Sequence, residues 1–549
     1  MSDHGSSVRR SRTPPHADIE AGRYEGVWQD DVAVFRGIRY AAPPTGKLRW
    51  APPRPPERFT GTASAAEFGP ACPQPPDWDA PYRAAAVLGG VDPAAVAMEV
   101  GPTDEDCLSL NIWAPKSESR TSARAVMLWI HGGASAYGSG GAAFFDGTRL
   151  AAEQGVVVVT INYRLGALGF MAHPDLVKES PLSTAGNYGF LDQVRALEWV
   201  RDNISAFGGD PQRVTVIGES AGGRAVFELL AHPPAKDLFQ RAIAQSAWEE
   251  IHHSRRLADS DSGIESALEL GRRLAAELGL DGTSLHRTGV LEKLRAIPAD
   301  EIIEAASALG NPALTWGPVV DGVVFPDHPL ALLARGEAAA VPLLAGFNSD
   351  EGSIFFLDQR LPLLKPEHYR SYVESLFPEA ASEILGLYPA SDDKTETHRS
   401  LSQLYGDRVF VLPALLAARS LSQRVPVYLY RFTHIHPSFA DGGTGERRRT
   451  IGSFHGSEIP LVFGTAPEPL DETDEHLGET MRAQWGAFVR SGTPNADGLP
   501  PWSPFEEGAG CLELGNEIQT RERVLPQAYS LLVNELACRI RLDIESGPL

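Results

Sequence analysis

The sequence predicts an α/β protein with a mostly parallel central sheet that helices cover on both faces. Short apolar runs of strand length recur along the chain, and amphipathic helical periods lie between them. One strand–turn–helix unit also carries a serine framed by Gly218 and Gly222. Strands that are apolar on both faces belong in a sheet buried between helices, and their alternation with helices favours parallel order.

The expected strands begin with hairpin-like segments and continue as runs that are apolar on both faces. They cover residues 22–24, 32–35, 38–40, 108–113, 125–130, 155–162, 213–217, 242–247, 341–347 and 425–432. Apolar residues three and four positions apart predict helices over 190–204 and 264–278. We find no internal repeat, so these elements predict one α/β domain enlarged by insertions.

Length and composition limit the domain organisation and the partners. The 549 residues show no composition break, so we expect a single domain over residues 21–549 after a disordered tail of residues 1–20. The 71 acidic residues outnumber the 49 basic ones, which argues against nucleic acid and against anionic membranes as partners. The oligomeric state stays open.

The sequence shows no targeting or membrane-spanning segment. Residues 1–20 lack the apolar core of ~7–15 residues that a secretory signal requires. No apolar stretch approaches the ~20 residues that cross a bilayer. Four cysteines are far fewer than a disulfide-dense scaffold uses. We therefore expect a cytoplasmic protein without a membrane span.

The segment from Val214 to Gly223 predicts a nucleophile elbow. Four β-formers precede the sequence Gly-Glu-Ser-Ala-Gly, and a helix-like run that stops at Pro233 follows it. Glycines are required where strand and helix converge, because side chains at 218 and 222 would collide there. Ser220 is thereby held at the tip of a tight turn, beside the N–H groups at the start of the helix.

A serine hydroxyl needs a base to take its proton and an acid to orient that base, and in elbow enzymes the order is Ser, acid, His. The polar turn after the strand 341–347 contains Asp350 and Glu351, and position alone leaves both open as the acid. Of the six histidines that follow this turn, only His455 lies in a short loop framed by glycines. We expect the other five to be surface or packed residues. The histidines that follow the turn are His368, His398, His434, His436, His455 and His476.

The oxyanion donors are expected in the loop that leaves the strand 125–130. It turns at Gly132 and Gly133, where the backbone N–H groups can approach a ligand closely. The next segment, 138–143, fits a dinucleotide glycine pattern, but it does not join a strand directly to a helix and lacks a placed acidic partner. Without an HExxH, paired CxxC or Walker sequence, we expect no metal and no cofactor.

These motifs, taken together, resemble the type-B carboxylesterases, the cholinesterase-like branch of the α/β-hydrolase fold. The resemblance extends from about Gly26 to Phe505 and is specific because so many motifs occur in the same order. They lie at 35–41, 105–111, 162–164, 218–223, 318–322, 350–352, 455–460 and 492–495.

The resemblance implies a complete active site. It selects Glu351 as the acid of the triad with Ser220 and His455, and it implies oxyanion donors at Gly133, Ala134 and Ala221. Cys72 and Cys107 match a family disulfide. The remaining pair, Cys511 and Cys538, we expect to be buried free thiols.

The chain departs from the family pattern at three places. Ala134 and Ser135 stand where many members have a third glycine and a phenylalanine. A Gly-Gly-Gly or Gly-Gly-Ala run at this place, here residues 132–134, is associated in the family with hydrolysis of bulky tertiary-alcohol esters. Trp248 and the pair His252 and His253 stand where the acyl pocket is expected. Trp78 lies too near Cys72 to align with the choline-binding tryptophan of cholinesterases.

The expected activity is hydrolysis of small to medium carboxylic esters through an acyl-enzyme, with short acyl groups preferred and bulky alcohols accepted. An amidase, lactone hydrolase or carbamate hydrolase would use the same site. A non-catalytic cholinesterase-like binding protein is the alternative from another class, but such proteins lack the full triad and usually carry a signal peptide and a membrane anchor.

Overall fold

In the computed structural model of the protein, the described residues are 13–76, 80, 82–84, 99–116, 123–250, 254–260, 264–280, 289–357, 361–435, 451–467, 470–506, 510–522 and 525–540. Their strands, numbered in chain order, are β1 (His16–Ile19), β2 (Gly22–Glu25), β3 (Val27–Gln29), β4 (Val32–Arg39), β5 (Thr62–Ser64), β6 (Ser109–Pro115), β7 (Arg124–Ile130), β8 (Val157–Ile161), β9 (Gly209–Glu219), β10 (Arg241–Gln245), β11 (Arg255–Arg256), β12 (Val319–Val320), β13 (Leu343–Asn348), β14 (Val427–Phe432), β15 (Cys511–Leu514) and β16 (Ile518–Arg521).

The α-helices of the same residues pack around the strands, and a π-helical segment, Asp407–Val411, joins two of them. The α-helices are α1 (Thr148–Gln154), α2 (Gly166–Phe170), α3 (Pro174–Glu179), α4 (Tyr188–Asn203), α5 (Ala221–Leu230), α6 (Ala267–Glu277), α7 (Val290–Ala296), α8 (Ala299–Ala308), α9 (Pro312–Thr315), α10 (Pro329–Ala334), α11 (Pro366–Leu376), α12 (Ala381–Leu387), α13 (Lys394–Gly406), α14 (Leu412–Ser422), α15 (Ile459–Phe463), α16 (Glu472–Ser491) and α17 (Tyr529–Arg539).

Eleven strands of the described part of the chain form one sheet in the order β16-β15-β14-β13-β10-β9-β7-β8-β6-β4-β3. The pairs from β8 to β15 are parallel, whereas the outer pairs at both edges are antiparallel. The predicted mostly parallel sheet is therefore confirmed. Parallel order places the carboxyl ends of β7, β9, β10, β13 and β14 at one edge, where their loops meet.

The sheet is buried on both faces, as the two-sided apolar runs predict. Along β7, Val126 and Leu128 pack into a core with helices α4 and α5, whereas Met127 and Trp129 pack into a second core with α1 and α16. Successive side chains of a strand point to opposite faces, so one apolar run serves both cores.

Several boundaries differ from the expectations. His16–Ile19, placed in the disordered tail, pairs with β2 as an antiparallel strand, because its backbone groups find partners there. The predicted strands 32–35 and 38–40 form one strand, β4, with an irregularity between Phe35 and Ile38. The edge strands β15 and β16 and the helices α11 to α14 were not predicted. Among the described helices, none has the length and apolar character needed to cross a bilayer.

The cysteine expectations need two corrections. Cys72 and Cys107 are both buried free thiols that interact through a side-chain hydrogen bond, so the predicted disulfide is not formed in the structure. The Cys72 sulfur also accepts a hydrogen bond from Leu165 N at 3.3 Å. Cys511 is buried as expected, but Cys538 is exposed near the end of α17.

The thiol pair gives a direct prediction. The hydrogen bond to Cys72 and burial raise the pKa of Cys107 well above its usual value, so this thiol is protonated and shielded. We expect an alkylating reagent to leave Cys107 unmodified in the native protein and to modify both residues after denaturation without reductant. Mass spectrometry of the digested protein measures this, with the exposed Cys538 as a native-state positive control. A peptide in which Cys72 and Cys107 are linked would contradict the prediction.

Candidate active site

Ser220 stands at a strained turn between β9 and α5. Its φ of 59° and ψ of −123° lie outside the regions that non-glycine residues usually adopt. A Cβ atom at Gly218 would lie 2.3 Å from the carbonyl oxygen of Gly222, and one at Gly222 would lie 2.0 Å from that of Ile130. The predicted reason for the two glycines, a collision where strand and helix converge, is therefore confirmed.

Backbone hydrogen bonds fix this turn to the loop after β10. Ser220 N donates to Gln245 O at 3.0 Å, and Trp248 N donates to Ser220 O at 3.0 Å. The serine is only 9% exposed, and what it exposes faces a cavity. Surrounding structure thus holds a conformation that would otherwise be costly.

The acid–base pair is formed by residues from two distant segments. His455 Nδ1 lies 2.7 Å from Glu351 Oε2, and both side chains are buried. Glu351 Oε1 accepts a hydrogen bond from Asn348 N at 2.8 Å, which fixes the carboxylate at the end of β13. Asp350 instead accepts from Ser453 N at 3.0 Å. Of the two acids that sequence position left open, the structure therefore brings Glu351 to the histidine.

The other histidines have different surroundings. His434 Nε2 lies 2.6 Å from Asp474 Oδ1, so a second buried His–carboxylate pair exists in the cavity wall. His368 and His476 are exposed, and His398 is buried on α13. His436 lies outside the described residues, as do Trp78, His252 and His253.

The second ring nitrogen of His455 lies beside Glu219. His455 Nε2 lies 3.1 Å from Glu219 Oε1, without the geometry of a hydrogen bond, and it has no hydrogen-bond partner among the residues that the structure describes. Ser220 and His455 line the same cavity. A base whose Nδ1 is held by a carboxylate and whose Nε2 is unoccupied can accept a proton from a hydroxyl group.

Buried carboxylates surround the imidazole. Burial alone lowers the pKa of His455, but Glu219 and Glu351 outweigh it and raise this pKa to about 9. Burial raises the pKa of Glu219 to about 8. Glu458 is held by Asn348 Nδ2 at 2.7 Å and by Gln245 Nε2 at 3.0 Å, and burial raises its pKa as well.

The loop after β7 lies directly over Ser220. A Cβ atom at Gly132 would lie 2.9 Å from Ser220 Cβ. Gly133, Ala134 and Ser135 all have positive φ values, of 96°, 53° and 58°. Successive residues in this conformation can turn their N–H groups into one concave site, and such sites bind anions. Ala221 N begins the helix on the other side of the serine.

The cavity has a volume of about 740 Å³ and is largely aromatic. Trp248 and Tyr405 form part of its wall, with Trp248 Nε1 donating to Tyr405 OH at 3.3 Å. A buried ion pair also lines it, with Arg408 Nη2 at 2.6 Å from Glu250 Oε2. The other aromatic residues at the cavity are Tyr82, Tyr137, Phe144, Phe145, Phe355, Phe356, Tyr372, Phe432 and Phe454.

Several of these residues escaped the sequence predictions. Glu219 belongs to the elbow motif and Glu458 to the motif that begins at His455. The positions of these two residues in the sequence do not show that their carboxylates approach the imidazole. Arg408 belongs to the π-helical segment, whose Phe410 ring lies 4.3 Å from the His455 ring. No group of three or more potential ligands within the described residues is arranged to hold a metal ion.

Known proteins are similar to this chain over nearly its whole length. A family model described as the carboxylesterase family matches residues 13–531. A fumonisin B1 esterase of Sphingopyxis macrogoltabida is 36% identical over 92% of this chain and 87% of its own length. A para-nitrobenzyl esterase of Bacillus subtilis is 34% identical over 90% and 94%. A solved PNB esterase structure superposes with a TM-score of 0.78, at 32% identity, over 95% of this chain and 100% of its own.

The electrostatics of the imidazole predict a shifted pH profile. His455 must be neutral to act as a base, and its pKa is raised, so we expect the acid limb of p-nitrophenyl acetate hydrolysis above pH 6.5 rather than at or below it. Glu219→Gln removes one of the charges that raise this pKa and should move the limb to lower pH by about one unit or more.

The matched control is Glu513→Gln, which removes a buried carboxylate on β15 that pairs with Arg521. It should leave the limb in place. A limb that does not move in Glu219→Gln, or that moves to higher pH, would contradict this account of the site.

Proposed function

This chain belongs to the carboxylesterase family and is a serine-type carboxylic ester hydrolase, and on that premise we propose that Ser220 is its nucleophile, His455 its base and Glu351 the acid that orients the base. The observation that carries this assignment is the 2.7 Å contact between His455 Nδ1 and Glu351 Oε2. It leaves His455 Nε2 unoccupied beside the cavity that Ser220 lines.

In the acylation step, Ser220 Oγ attacks the carbonyl carbon of the ester while His455 Nε2 takes the hydroxyl proton. The carbonyl electron pair moves onto oxygen, which receives hydrogen bonds from the N–H groups of Gly133, Ala134 and Ala221. Each such donor typically contributes ~3–4 kcal/mol to stabilisation of the transition state. The bond to the alcohol oxygen then breaks, and His455 returns the proton to the leaving alcohol.

Deacylation repeats these roles with water as the nucleophile. His455 Nε2 takes a proton from the water, whose oxygen attacks the acyl carbon. Collapse of the second tetrahedral intermediate breaks the bond between the acyl carbon and Ser220 Oγ, and the proton returns to the serine. Throughout the cycle Glu351 remains ionised, holding the imidazole tautomer and stabilising the imidazolium.

We propose small to medium esters as substrates, because the cavity is large and mainly aromatic. The small residue Ala134 lines the cavity beside the serine and leaves space there for a branched alcohol. Trp248 N donates a hydrogen bond to Ser220 O, and the Trp248 side chain lines the cavity, where it closes the acyl side of the site. This arrangement favours short acyl groups and bulky leaving alcohols. Hydrolysis of amides, lactones or carbamates would use the same residues, and a p-nitrophenyl ester series beside p-nitroacetanilide separates these activities.

Loss of the nucleophile should abolish hydrolysis. We expect Ser220→Ala to lower kcat on p-nitrophenyl acetate by on the order of 10⁴-fold or more, because the acyl-enzyme cannot form. Ser420→Ala removes a hydroxyl from α14 and should keep wild-type activity, and thermal unfolding verifies that both variants are folded. More than a few per cent residual activity in clean Ser220→Ala protein would refute the assignment.

The base can be tested against the second buried His–carboxylate pair. His455→Gln should lose activity to a similar degree, because glutamine cannot accept and return the proton. His434→Gln alters a pair of matched burial and distance and should retain most of the activity. An essential His434 with a dispensable His455 would overturn the assignment.

The alcohol preference gives a further prediction. We expect measurable hydrolysis of tert-butyl acetate beside n-butyl acetate, because small residues form the loop over Ser220. Initial rates at matched substrate concentrations, followed by acid release, measure the ratio. Activity on n-butyl acetate with none on tert-butyl acetate would discard the inference from Ala134 and Ser135.

A further inference from the structure

A cluster of charged side chains is buried behind the nucleophile helix, outside the proposed triad. Arg224 Nε lies 3.0 Å from Glu228 Oε1 one turn further along α5, and His328 Nε2 lies 3.2 Å from Glu249 Oε1. Each of these four residues is 5% exposed or less. Buried ion pairs are weak contributors to stability because desolvation is costly, so a cluster of this kind calls for another explanation.

Arg224 contacts three parts of the active site at once. Its peptide N–H donates to Ser220 O at 2.9 Å, within the helix that carries the nucleophile. Its Nη2 donates to Ser135 Oγ at 2.8 Å, in the loop after β7. Its guanidinium carbon lies 5.4 Å from the ring centre of Trp248, in the acyl wall.

The loop that Arg224 reaches is conformationally strained. Ala134 and Ser135 are consecutive non-glycine residues with positive φ, a conformation that side chains disfavour. Gly166 N donates to Ser135 O at 2.8 Å, which fixes the backbone on one side. The hydroxyl of Ser135 is fixed by Arg224 on the other, through a hydrogen bond from a charged donor, which is stronger than one between neutral groups.

We propose that Arg224 is a positioning residue that keeps the oxyanion donors of the loop, Gly133 and Ala134, in register with Ala221 and Ser220 on the helix. This inference rests on the proposed function, because it assumes those donors. Arg224 belongs to the helix and its partner Ser135 to the loop, so their hydrogen bond sets the distance between the two sets of N–H groups. Glu228, one turn further along the same helix, contacts the guanidinium and helps to fix its position, so the role is geometric.

A positioning role has a kinetic signature that a purely structural role does not share. The donors act on the developing oxyanion, so their displacement weakens binding of the transition state more than binding of the substrate. We expect Arg224→Met to lower kcat by about 10- to 100-fold and to change KM by less than about threefold. The inhibition constant of a trifluoromethyl ketone, whose tetrahedral adduct occupies the oxyanion site, should rise by the same factor as kcat falls.

Variants of the partner residue test the route of the effect. Ser135→Ala removes only the hydroxyl group and should reproduce the direction of both changes. Ser135→Gly removes the same group and also relieves the strain at φ 58°, so it separates the hydrogen bond from the backbone conformation. If Arg224 acts through Ser135, the double variant that combines Arg224→Met with Ser135→Ala should have no lower kcat than Arg224→Met alone. Arg224→Lys should recover part of the loss, because an ammonium group can donate to Ser135 but lacks the guanidinium fork.

The matched control is Arg482→Met on α16, which also removes a buried guanidinium from its ion pair, with Glu153 at 2.6 Å, but touches neither α5 nor Ser135 in any hydrogen bond or ion pair that the structure describes. It should leave kcat and the inhibition constant within twofold of wild type. Equal effects in Arg224→Met and Arg482→Met, a change in KM alone, or multiplicative losses in the double variant would overturn the inference. If Arg224→Met fails to fold, Ser135→Ala and Ser135→Gly decide it by the same two readouts.

Failure of the inference differs from failure of the proposed function. If the triad assignment is wrong, Ser220→Ala retains hydrolysis and the trifluoromethyl ketone does not compete with substrate in the wild-type protein. If only the role of Arg224 is wrong, the wild-type protein binds the ketone and the Arg224 and Ser135 variants bind it equally well.

Discussion

The close approach of three backbone segments at the nucleophile turn is the constraint on which the rest of the site depends. The end of β7, the end of β9 and the start of α5 meet where Gly222 would have no space for a Cβ atom, 2.0 Å from the carbonyl oxygen of Ile130. Ser220 is thereby forced into a conformation that a serine would not otherwise adopt. Because the turn is this tight, the loop that leaves β7 lies directly over the serine, and the first N–H of α5 lies beside it. A looser junction would separate Ser220 from both sets of N–H groups.

Around this junction the protein concentrates buried carboxyl groups. Glu219, Glu351 and Glu458 lie near a single imidazole, and two of them are held by side-chain or backbone amides of the neighbouring strand ends. Such a cluster is costly to bury, and the cost appears as raised pKa values of Glu219 and Glu458. Glu219 and Glu351 in turn stabilise a protonated His455, which is the state the imidazole reaches after it accepts a proton.

The helices inserted between β13 and β14 complete the cavity and connect it to the periphery of the fold. The π-helical segment Asp407–Val411 departs from α-helical geometry at the place where Phe410 packs on the His455 ring and Arg408 pairs with Glu250. Glu249 N in turn donates to Val409 O, which ties the acyl loop to this segment. π-Helical segments often occur at functional sites because they redirect side chains within a helix.

The sequence by itself determined the central strands of the sheet, the helices α4, α5 and α6 and the tight turn at Ser220, because strand and helix periods and the need for glycine at a tight junction are local properties. It also restricted the acid to Asp350 or Glu351 and favoured His455 through its glycine-framed loop. The family resemblance selected Glu351 of the two, but only the tertiary structure shows its contact with His455, since the two residues are 104 positions apart and their contact depends on how β13 and a distant loop pack. The charges near the imidazole and the contact of Arg224 with Ser135 have the same origin: which buried groups meet depends on packing between segments remote in the sequence, and no local pattern records it.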